Sequence, residues 1–432
     1  MDNQIPNALR FYVEQLQNLS KVRVKLNTLN TTAVGSSGAS QIRVALPVSS
    51  ILRMDSLVFS GTMKTESTAG AADRVFCCLP RNGLAAVINS ARWSAGGIQI
   101  SSGETPYHLL YNLKKDLECS TQKYMSDDKV LNNAIIEPYT DAQAAAQGNT
   151  EGGQTKELRL NNFLGWSGES GTRCRDASLL PEQFLSLQFT GASVLPLQQE
   201  GTSLGAAITR AGSNPGSWKI ENASFSIETM SLGGIYTSVT EALLQQRGSL
   251  DVAFKTYSMS SSAQSGSNGV VRTSVSTMSL DKLYGFHLDA EAGKSYQVQG
   301  PPVACNGGGS YAFTQRSDNR VSAGIDSFQF RCNGAVSPLS PQSVVDGYVL
   351  AVASRQRVGS MEMWKDNCFC GVVAYSFDDR INSVSGLSMQ AINSQLEFDV
   401  NGTGDKARQC YLVAECTSLC RIGQGRSVAF VK

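Results

Sequence analysis

Histidine is nearly absent from this sequence, whose 432 residues include only His108 and His287. Catalytic metal centres and Ser-His-Asp or Cys-His sets depend on histidine. The two histidines lie in different halves of the chain, and neither stands beside a nucleophile motif. We therefore expect each to be a helix or strand residue with satisfied hydrogen bonds. The sequence predicts neither an enzyme nor a cofactor.

Charged residues are also scarce. They make up 17% of the chain, against about 25% in an average soluble protein, and the formal net charge is +1. Direct, sequence-specific binding to nucleic acid is disfavoured, because it needs clustered Lys and Arg to displace phosphate counterions. Low charge combined with many Gly and Ser residues is typical of a protein whose surface is covered by neighbouring molecules.

No run of about 18 apolar residues occurs, so the sequence predicts no membrane-spanning helix. The start, MDNQIPNALRFYVEQ, lacks the apolar core of a signal peptide. We therefore expect synthesis in the cytoplasm without secretion. The eleven cysteines are expected to be reduced and buried. Neither Cys368 with Cys370 nor the trio Cys410, Cys416 and Cys420 has zinc-site spacing, so no metal is predicted.

One sequence unit occurs twice. Residues 87–117 read as a strand, a glycine turn, a short strand and a helix, and residues 327–354 repeat this order. At an offset of 237 residues the pairs are Trp93 with Phe330, Gly97 with Gly334, Tyr111 with Tyr348, and Leu113 with Leu350. Such a long period indicates two similar domains in tandem.

Most of the chain from residue 22 alternates apolar and polar residues, as half-buried antiparallel strands do. Each half offers roughly eight short strands, which predicts an all-β sandwich or barrel. A helix is expected at 233–248, with Tyr236, Val239, Leu243 and Leu244 on one face. The expected division is an arm at 1–21, a first domain at 22–232, a linker helix at 233–249 and a second domain at 250–432.

Residues 4–19 predict an N-terminal amphipathic helix whose apolar face carries Ile5, Leu9, Val13 and Leu16. These four residues are the candidate interaction site. The face would dock on a neighbouring subunit or at a lipid headgroup layer, or else pack on its own domain.

Four polar stretches are too long for ordinary connections and predict projecting loops ordered by contacts with other copies. They are residues 141–154, 198–216, 258–269 and 303–322. A further stretch, 401–407, formally resembles a dinucleotide fingerprint but predicts a hairpin turn, because a strand and not a helix follows it.

Several of these segments together resemble a known family. The segments are Leu79–Arg81, VINSARWSAGG with its Tyr-bearing helix, QFRCNG followed by GYVLA, residues 385–400, and the terminal RSVAFVK. They are similar to double jelly-roll major capsid proteins of membrane-containing phages, adenovirus, large DNA viruses, virophages and polinton-like viruses. The resemblance implies two tandem eight-stranded jelly-roll β-sandwiches with short helices in the loops.

The same resemblance implies a structural role in a virion. Homotrimers would imitate hexamers and tile an icosahedral shell, contacting neighbouring trimers, minor capsid and vertex (penton) proteins, and an inner membrane at the N-terminal helix. The alternative is a carbohydrate-binding or adhesive β-sandwich of the spike or lectin type. That alternative would need exposed aromatic residues on loops, whereas Trp93, Trp166, Trp218 and Trp364 mostly lie in or near apolar strands.

Overall fold

The part of the chain that the structure describes is built mainly from antiparallel strands, with one parallel pair and three α-helices. The computed structural model describes residues 20–36, 40–66, 75–77, 83–100, 106–118, 151–153, 155–167, 174–189, 198–200, 217–231, 234–264, 266, 268–289, 320, 324–354, 361, 364, 369–376, 384–390, 394–402 and 408–431. None of the helices in these ranges is long and apolar enough to cross a bilayer.

The first half of the chain contributes two main sheets and one small sheet. Its strands are β1 (Ser20–Leu26), β2 (Val34–Gly35), β3 (Gln41–Ala45), β4 (Ile51–Glu66), β5 (Val75–Cys77), β6 (Ile88–Ala95), β7 (Ile98–Gln99), β8 (Glu151–Gly153), β9 (Thr155–Leu160), β10 (Cys174–Asp176), β11 (Gln183–Phe189), β12 (Gln198–Glu200) and β13 (Ser217–Ser231). One main sheet has the order β1-β13-β4-β10, with β2 beside β13 and β9 beside β4. The other has the order β3-β11-β6-β7, and β12-β5-β8 form the small sheet.

The second half contributes two sheets. Its strands are β14 (Ser249–Gln264), β15 (Asn268–Ser274), β16 (Leu280–Asp289), β17 (Ser327–Cys332), β18 (Ala335–Gln342), β19 (Gly371–Ala374), β20 (Gln395–Asn401), β21 (Arg408–Gly423) and β22 (Val428–Val431). The sheet orders are β14-β21-β16-β19, with β22 beside β21, and β15-β20-β17-β18.

The same strand topology occurs in both halves. In each half, the two four-strand sheet orders given above contain eight strands, which can be numbered one to eight along the chain. In both halves one sheet then has the order one-eight-three-six and the other has the order two-seven-four-five. Strands that are neighbours in sequence therefore alternate between the two sheets, except strands four and five, which pair with each other. This is the jelly-roll arrangement. The prediction of two tandem eight-stranded jelly rolls is confirmed, while the predicted domain boundaries stay a prediction.

The repeated unit occupies equivalent places in the two jelly rolls. Trp93 on β6 pairs with Leu185, and Phe330 on β17 pairs with Phe398, so each aromatic residue lies on the fourth strand beside the seventh. Gly97 and Gly334 follow these strands with φ of 82° and 80°, in the left-handed region that glycine tolerates best. The alignment at 237 residues therefore identifies equivalent positions.

Three α-helices lie between strands: α1 (Tyr107–Glu118), α2 (Gly234–Arg247) and α3 (Val344–Ala353). Helices α1 and α3 follow the fifth strand of each jelly roll. Ser343 and Asp346 form a capping box at the start of α3, which satisfies two exposed backbone N–H groups. Helix α2 confirms the helix predicted at 233–248; Leu244 is buried, and the side chains of Tyr236 and Val239 lie outside the described part.

One loop prediction and one hairpin prediction are wrong. Residues 258–264, predicted to belong to a loop, continue strand β14 and pair with residues 408–414 of β21. The serines of this segment form a strand because they pair in register with the strongly apolar strand β21. Asn401 and Gly402 do not start a hairpin, since β20 and β21 belong to different sheets. Asn401 and Gly402 do mark the end of strand β20, but the next strand, β21, belongs to the other sheet.

Close packing in the second jelly roll fixes one glycine. A Cβ built on Gly285 in β16 would overlap the ring of Phe398, which is fully buried on β20. Glycine there lets the two sheets approach each other.

We expect Gly285→Ala to lower the free energy of unfolding by about 1–3 kcal/mol, because an inserted methyl group overpacks the interior. Urea denaturation followed by tryptophan fluorescence measures the change. Gly266→Ala is the control, since a Cβ there meets nothing within 4 Å. Equal stability of the two variants would contradict this account of the packing.

Candidate assembly surfaces

The sequence-predicted interaction residues Ile5, Leu9, Val13 and Leu16 lie outside the described residues, so their role stays a prediction. Most of the loops 141–154, 198–216 and 303–322 lie outside as well. Two kinds of described surface bear on assembly. One is the contact between the two jelly rolls, and the other is the set of faces that are exposed to solvent.

Helix α1 of the first jelly roll is buried against the second jelly roll. Lys114 extends from α1 to Glu415 on β21, with 2.8 Å between Nζ and Oε2 and only 4% of each side chain exposed. The Tyr284 hydroxyl on β16 donates to the same carboxylate oxygen at 2.6 Å. The α1 side of one roll therefore meets the outward face of the β14-β21-β16 sheet of the other.

A second cation completes this charge cluster. Lys255 on β14 lies 3.8 Å from Glu415 and 2.8 Å from Asp281, measured from Nζ to the carboxylate oxygens. Thr417 also donates to Asp281. Burial, the largest single influence, disfavours the charged form of Glu415. The attraction of Lys114, Lys255 and Lys282 outweighs burial and leaves the pKa of Glu415 well below its ordinary value.

A second ion pair joins α1 to the second half of the chain. Arg320 Nη2 lies 2.7 Å from Asp116 Oδ2, and both side chains are almost completely buried. Two buried ion pairs thus connect one helix to residues far away in the sequence. Removing one partner of such a pair leaves an uncompensated charge, so the pairs strongly favour a single arrangement of the halves.

Aromatic packing extends the contact beyond α1. Trp166 of the first half meets Phe254 of β14 edge to face, with 5.2 Å between ring centroids. Arg175 lies with its guanidinium 4.5 Å from the centre of the Trp166 ring and donates to the backbone carbonyl of Ala253. Burial lowers the pKa of Arg175 to about 10. The Arg175–Trp166 stack is a cation–π contact shielded from water.

On the outward face of the equivalent sheet of the first jelly roll, the described charged side chains are partly exposed to solvent. Charged residues cross it from strand to strand: Arg53 lies 2.9 Å from both Asp55 and Glu228, and Arg23 of β1 lies 4.0 Å from Glu228. Half of the Arg23 side chain is exposed. These charges have partners on their own sheet, so no charge from another molecule is needed to compensate them.

The small sheet β12-β5-β8 joins three connections of the first jelly roll. Strand β5 lies between the third and fourth main strands, β8 between the fifth and sixth, and β12 between the seventh and eighth. These connections leave the same end of a jelly roll. Parts of the predicted loops 141–154 and 198–216 are therefore strands that pair with β5 of the same chain.

The two histidines lie on regular elements, as predicted. His108 is half-buried on α1, and His287 is buried on β16. Burial, aided by the nearby charge of Arg408, lowers the pKa of His287 to about 3. Within the described ranges its Nδ1 has no hydrogen-bond partner, so the expectation of satisfied hydrogen bonds was wrong for this residue.

Free thiols are mostly buried among the described cysteines. The buried ones are Cys332, Cys370, Cys410, Cys416 and Cys420, whereas Cys174 is exposed. Burial raises the pKa of Cys370, Cys410, Cys416 and Cys420 to about 12, so these thiols stay protonated. Nowhere in the described ranges do three His, Cys, Asp or Glu residues cluster as a metal site would require.

All four tryptophans, Trp93, Trp166, Trp218 and Trp364, are buried. None of them supplies the exposed aromatic platform that the carbohydrate-binding alternative requires. Sequence reasoning missed Lys114, Asp116 and Glu415. The available signal was charge beside buried apolar residues: Lys114 and Asp116 lie between Leu113 and Leu117, and Glu415 lies inside the buried strand β21.

We expect Lys114→Met to lower the free energy of unfolding by about 3–5 kcal/mol, because it removes the closest cation from a buried carboxylate. The double variant Lys114→Met with Glu415→Leu should recover most of the loss. Urea denaturation of the two single variants and the double variant measures their coupling. Additive effects would contradict a direct interaction.

The ion pair also predicts a pH dependence. The folded-state pKa of Glu415 is depressed, so its contribution is present above the unfolded pKa of about 4.3 and is lost as pH falls below that value. We expect the wild type to lose more stability than Glu415→Gln between about pH 5 and pH 2. Parallel losses in acid denaturation experiments would contradict this prediction.

Comparison with known proteins identifies the fold. No family model and no curated protein matches the sequence. Among solved structures, the PBCV-1 protein fitted into a reconstruction of the virophage Sputnik is similar with a TM-score of 0.62 and 10% identity, over 96% of this chain and 97% of that one. The Faustovirus major capsid protein gives 0.61 and 9% identity, over 93% and 90% of the two chains. The mavirus major capsid protein gives 0.54 and 8% identity, over 94% and 89%.

These similarities extend over nearly the whole of each chain, so they include both jelly rolls and the connection between them. With the strand orders described above, they establish that this chain has the double jelly-roll fold of these viral proteins.

Proposed function

We propose that the protein is the major capsid subunit of an icosahedral virus and that its biochemical activity is assembly. The observation that carries the proposal is the head-to-tail contact of two equivalent jelly rolls. The α1 side of the first roll packs on the sheet face of the second. Such a heterologous contact can be repeated from chain to chain and closes into a ring when the rotation allows it.

Three chains would supply six similar walls to such a ring. The proposed subunit is therefore a homotrimer that imitates a hexamer and fills a hexagonal lattice. Closed sandwiches protect most sheet edges from wrong pairing, which benefits a protein accumulated at high copy number. The solved structures with the same fold are major capsid proteins by name, which supports the same role here.

The proposed role accounts for the unusual composition of the chain. Charged residues make up only 17% of it, and several of the charges that it has are buried between the two jelly rolls. A surface covered by neighbouring subunits needs little charge for solubility. The proposed location is the virion, with synthesis in the host cytoplasm. A structural role without catalysis fits a chain with only two histidines.

The proposed partners follow from this position in a shell. Copies of the same chain would cover most of the lateral surface, and minor capsid and vertex proteins would contact trimers at special positions of the lattice. The N-terminal helix with Ile5, Leu9, Val13 and Leu16 would dock beneath the shell, on a neighbouring subunit or at an inner membrane. With a net charge of +1, direct contact with the genome is not part of the proposal.

We expect the purified protein to be a trimer by size-exclusion chromatography with light scattering. Concentrated preparations should form hexagonal sheets or closed shells in negative-stain electron micrographs. A stable monomer that binds glycans on an array would favour the adhesive alternative and contradict the capsid role.

The N-terminal face gives a second test. We expect Leu9→Asp with Val13→Asp to leave trimers intact and to reduce the yield of closed shells, because charges would replace the apolar docking surface. The matched control is Arg10→Ala with Glu14→Ala, on the opposite face of the predicted helix. Loss of the trimer itself would show that the arm belongs to the trimer contact.

A further inference from the structure

His287 occupies a position in the second jelly roll where the imidazole cannot gain a proton without cost. It lies on β16 and is only 1% exposed, with its ring centroid 6.4 Å from that of the buried Phe369. Nδ1 is buried without a hydrogen-bond partner among the described residues. A protonated imidazole carries a donor on both ring nitrogens, so the charged form would leave the Nδ1 donor without an acceptor.

The charge that acts on His287 in the described part of the chain is a positive one. Arg408 on β21 is 6% exposed, and its guanidinium donates to the backbone carbonyl of Gly324 at 2.8 Å. Burial first, and then the charge of Arg408, disfavours the protonated imidazole. Cys410 is the cross-strand neighbour of His287. Burial raises the pKa of the Cys410 thiol to about 12, so this neighbour stays uncharged.

The other elements around this position bring no described carboxylate to it. Gln264 of β14, which accepts from the Cys410 thiol, is neutral, and burial raises the pKa of the Cys370 thiol to about 12. Glu397 and Asp399 of the facing strand β20 pair with exposed arginines on the outer side of the sheet. The residues of β20 that are buried are apolar: Leu396, Phe398 and Val400. A proton on the imidazole would therefore add a second buried cation without a compensating anion among the described residues.

Strand β16 links this position to the contact between the two jelly rolls. Phe286 and Leu288, the neighbours of His287 in sequence, lie on the opposite face of β16 because side chains alternate along a strand. Both are buried in the apolar cluster that contains residues of both halves. The Phe286 ring centre is also 5.7 Å from the guanidinium carbon of Arg320, which pairs with Asp116 of α1. A displacement of β16 at His287 would therefore disturb the contact with α1.

We infer that His287 is an acid-sensitive switch: a proton taken up by its imidazole stabilises a state in which β16 is displaced and the contact between the two jelly rolls is loosened. The inference goes beyond the proposed function, because it follows from the packing within one chain and holds for any role of the protein. In a shell built from such chains, mild acid would weaken each subunit, whereas neutral pH would leave it intact.

The pH range of the switch follows from two values of the imidazole pKa. The pKa is ordinarily 6.5, and burial together with Arg408 lowers it to about 3 in the folded chain. Because the folded value is the lower one, stability is fully present above pH 6.5 and is lost as the pH falls from 6.5 towards 3. Between pH 8 and pH 5 the unfolding equilibrium constant should rise by roughly thirtyfold. Most of this range lies above the range in which Glu415 loses its contribution.

The decisive comparison is His287→Gln with His108→Gln. Glutamine does not titrate, and His108 is the other histidine of the chain, half-buried on α1. Urea denaturation of the full-length proteins at pH 8 and pH 5, at one protein concentration, measures the change. We expect the wild type and His108→Gln to show the roughly thirtyfold rise and His287→Gln to show a rise of at most about threefold. A rise of equal size in all three proteins, or one abolished only by His108→Gln, would overturn the inference.

A measurement on the wild type does not depend on the folding of a variant. Deuterium exchange of the imidazole C2 hydrogen, followed by mass spectrometry, reports the titration of each histidine separately. We expect His287 in the native protein to remain neutral at pH 5. A titration midpoint near pH 6.5 would overturn the switch, because the folded and unfolded chains would then bind the proton equally well.

Amide hydrogen exchange of α1 tests the coupling between His287 and the contact. After correction for the pH dependence of the chemical exchange rate, we expect wild-type α1 to exchange at least about fivefold faster at pH 5 than at pH 8, because the opened state is more populated. His287→Gln should show no such difference. Equal protection of α1 at the two pH values in the wild type would overturn the coupling and, with it, the switch.

Discussion

The arrangement of the two jelly rolls depends on a helix that carries charged side chains into a buried contact. Hydrophobic contact alone is nearly non-directional, because it depends on buried area and tolerates sliding. The contact between Lys114 and Glu415 does not tolerate sliding: their atoms are 2.8 Å apart, and a small displacement would leave two unpaired charges without solvent. The Arg320–Asp116 pair constrains the position of helix α1 in the same way at a second point. The two pairs therefore add directionality to a contact that also contains buried apolar residues of both halves.

The two jelly rolls share a topology but differ in the chemistry of their helices. Helix α1 has charged residues where α3 has valine and alanine. The α1 contact lies within one chain, where the tether gives it a high effective concentration, so the cost of removing charges from water can be met during folding. The outer face of α3 instead carries Val345, Val349 and Val352, which are 53%, 62% and 50% exposed. These three valines on a short helix make a modest apolar surface without charge.

Much of the fold was predictable because it is encoded locally. Alternating apolar residues predicted the strands, and Gly97 and Gly334 identified equivalent turns because a left-handed backbone favours glycine in both copies. The predictions failed where a distant partner decides the structure. Residues 258–264 look like a polar loop but form a strand because β21 pairs with them. Asn401 and Gly402 signal a change of direction, but no local signal says which sheet the chain enters next.

The contact surfaces were less predictable than the fold, and the reason is sequence separation. Lys114 and Glu415 are 301 residues apart, and each alone looks like a solvated charge. The duplication nevertheless makes their role interpretable, because the chain contains both a covered and an uncovered version of the same helix. If α1 met a sheet without a carboxylate at the position of Glu415, Lys114 would be buried without a partner, whereas α3 makes no such demand. The charged contact thus discriminates against mispairing of the two jelly rolls.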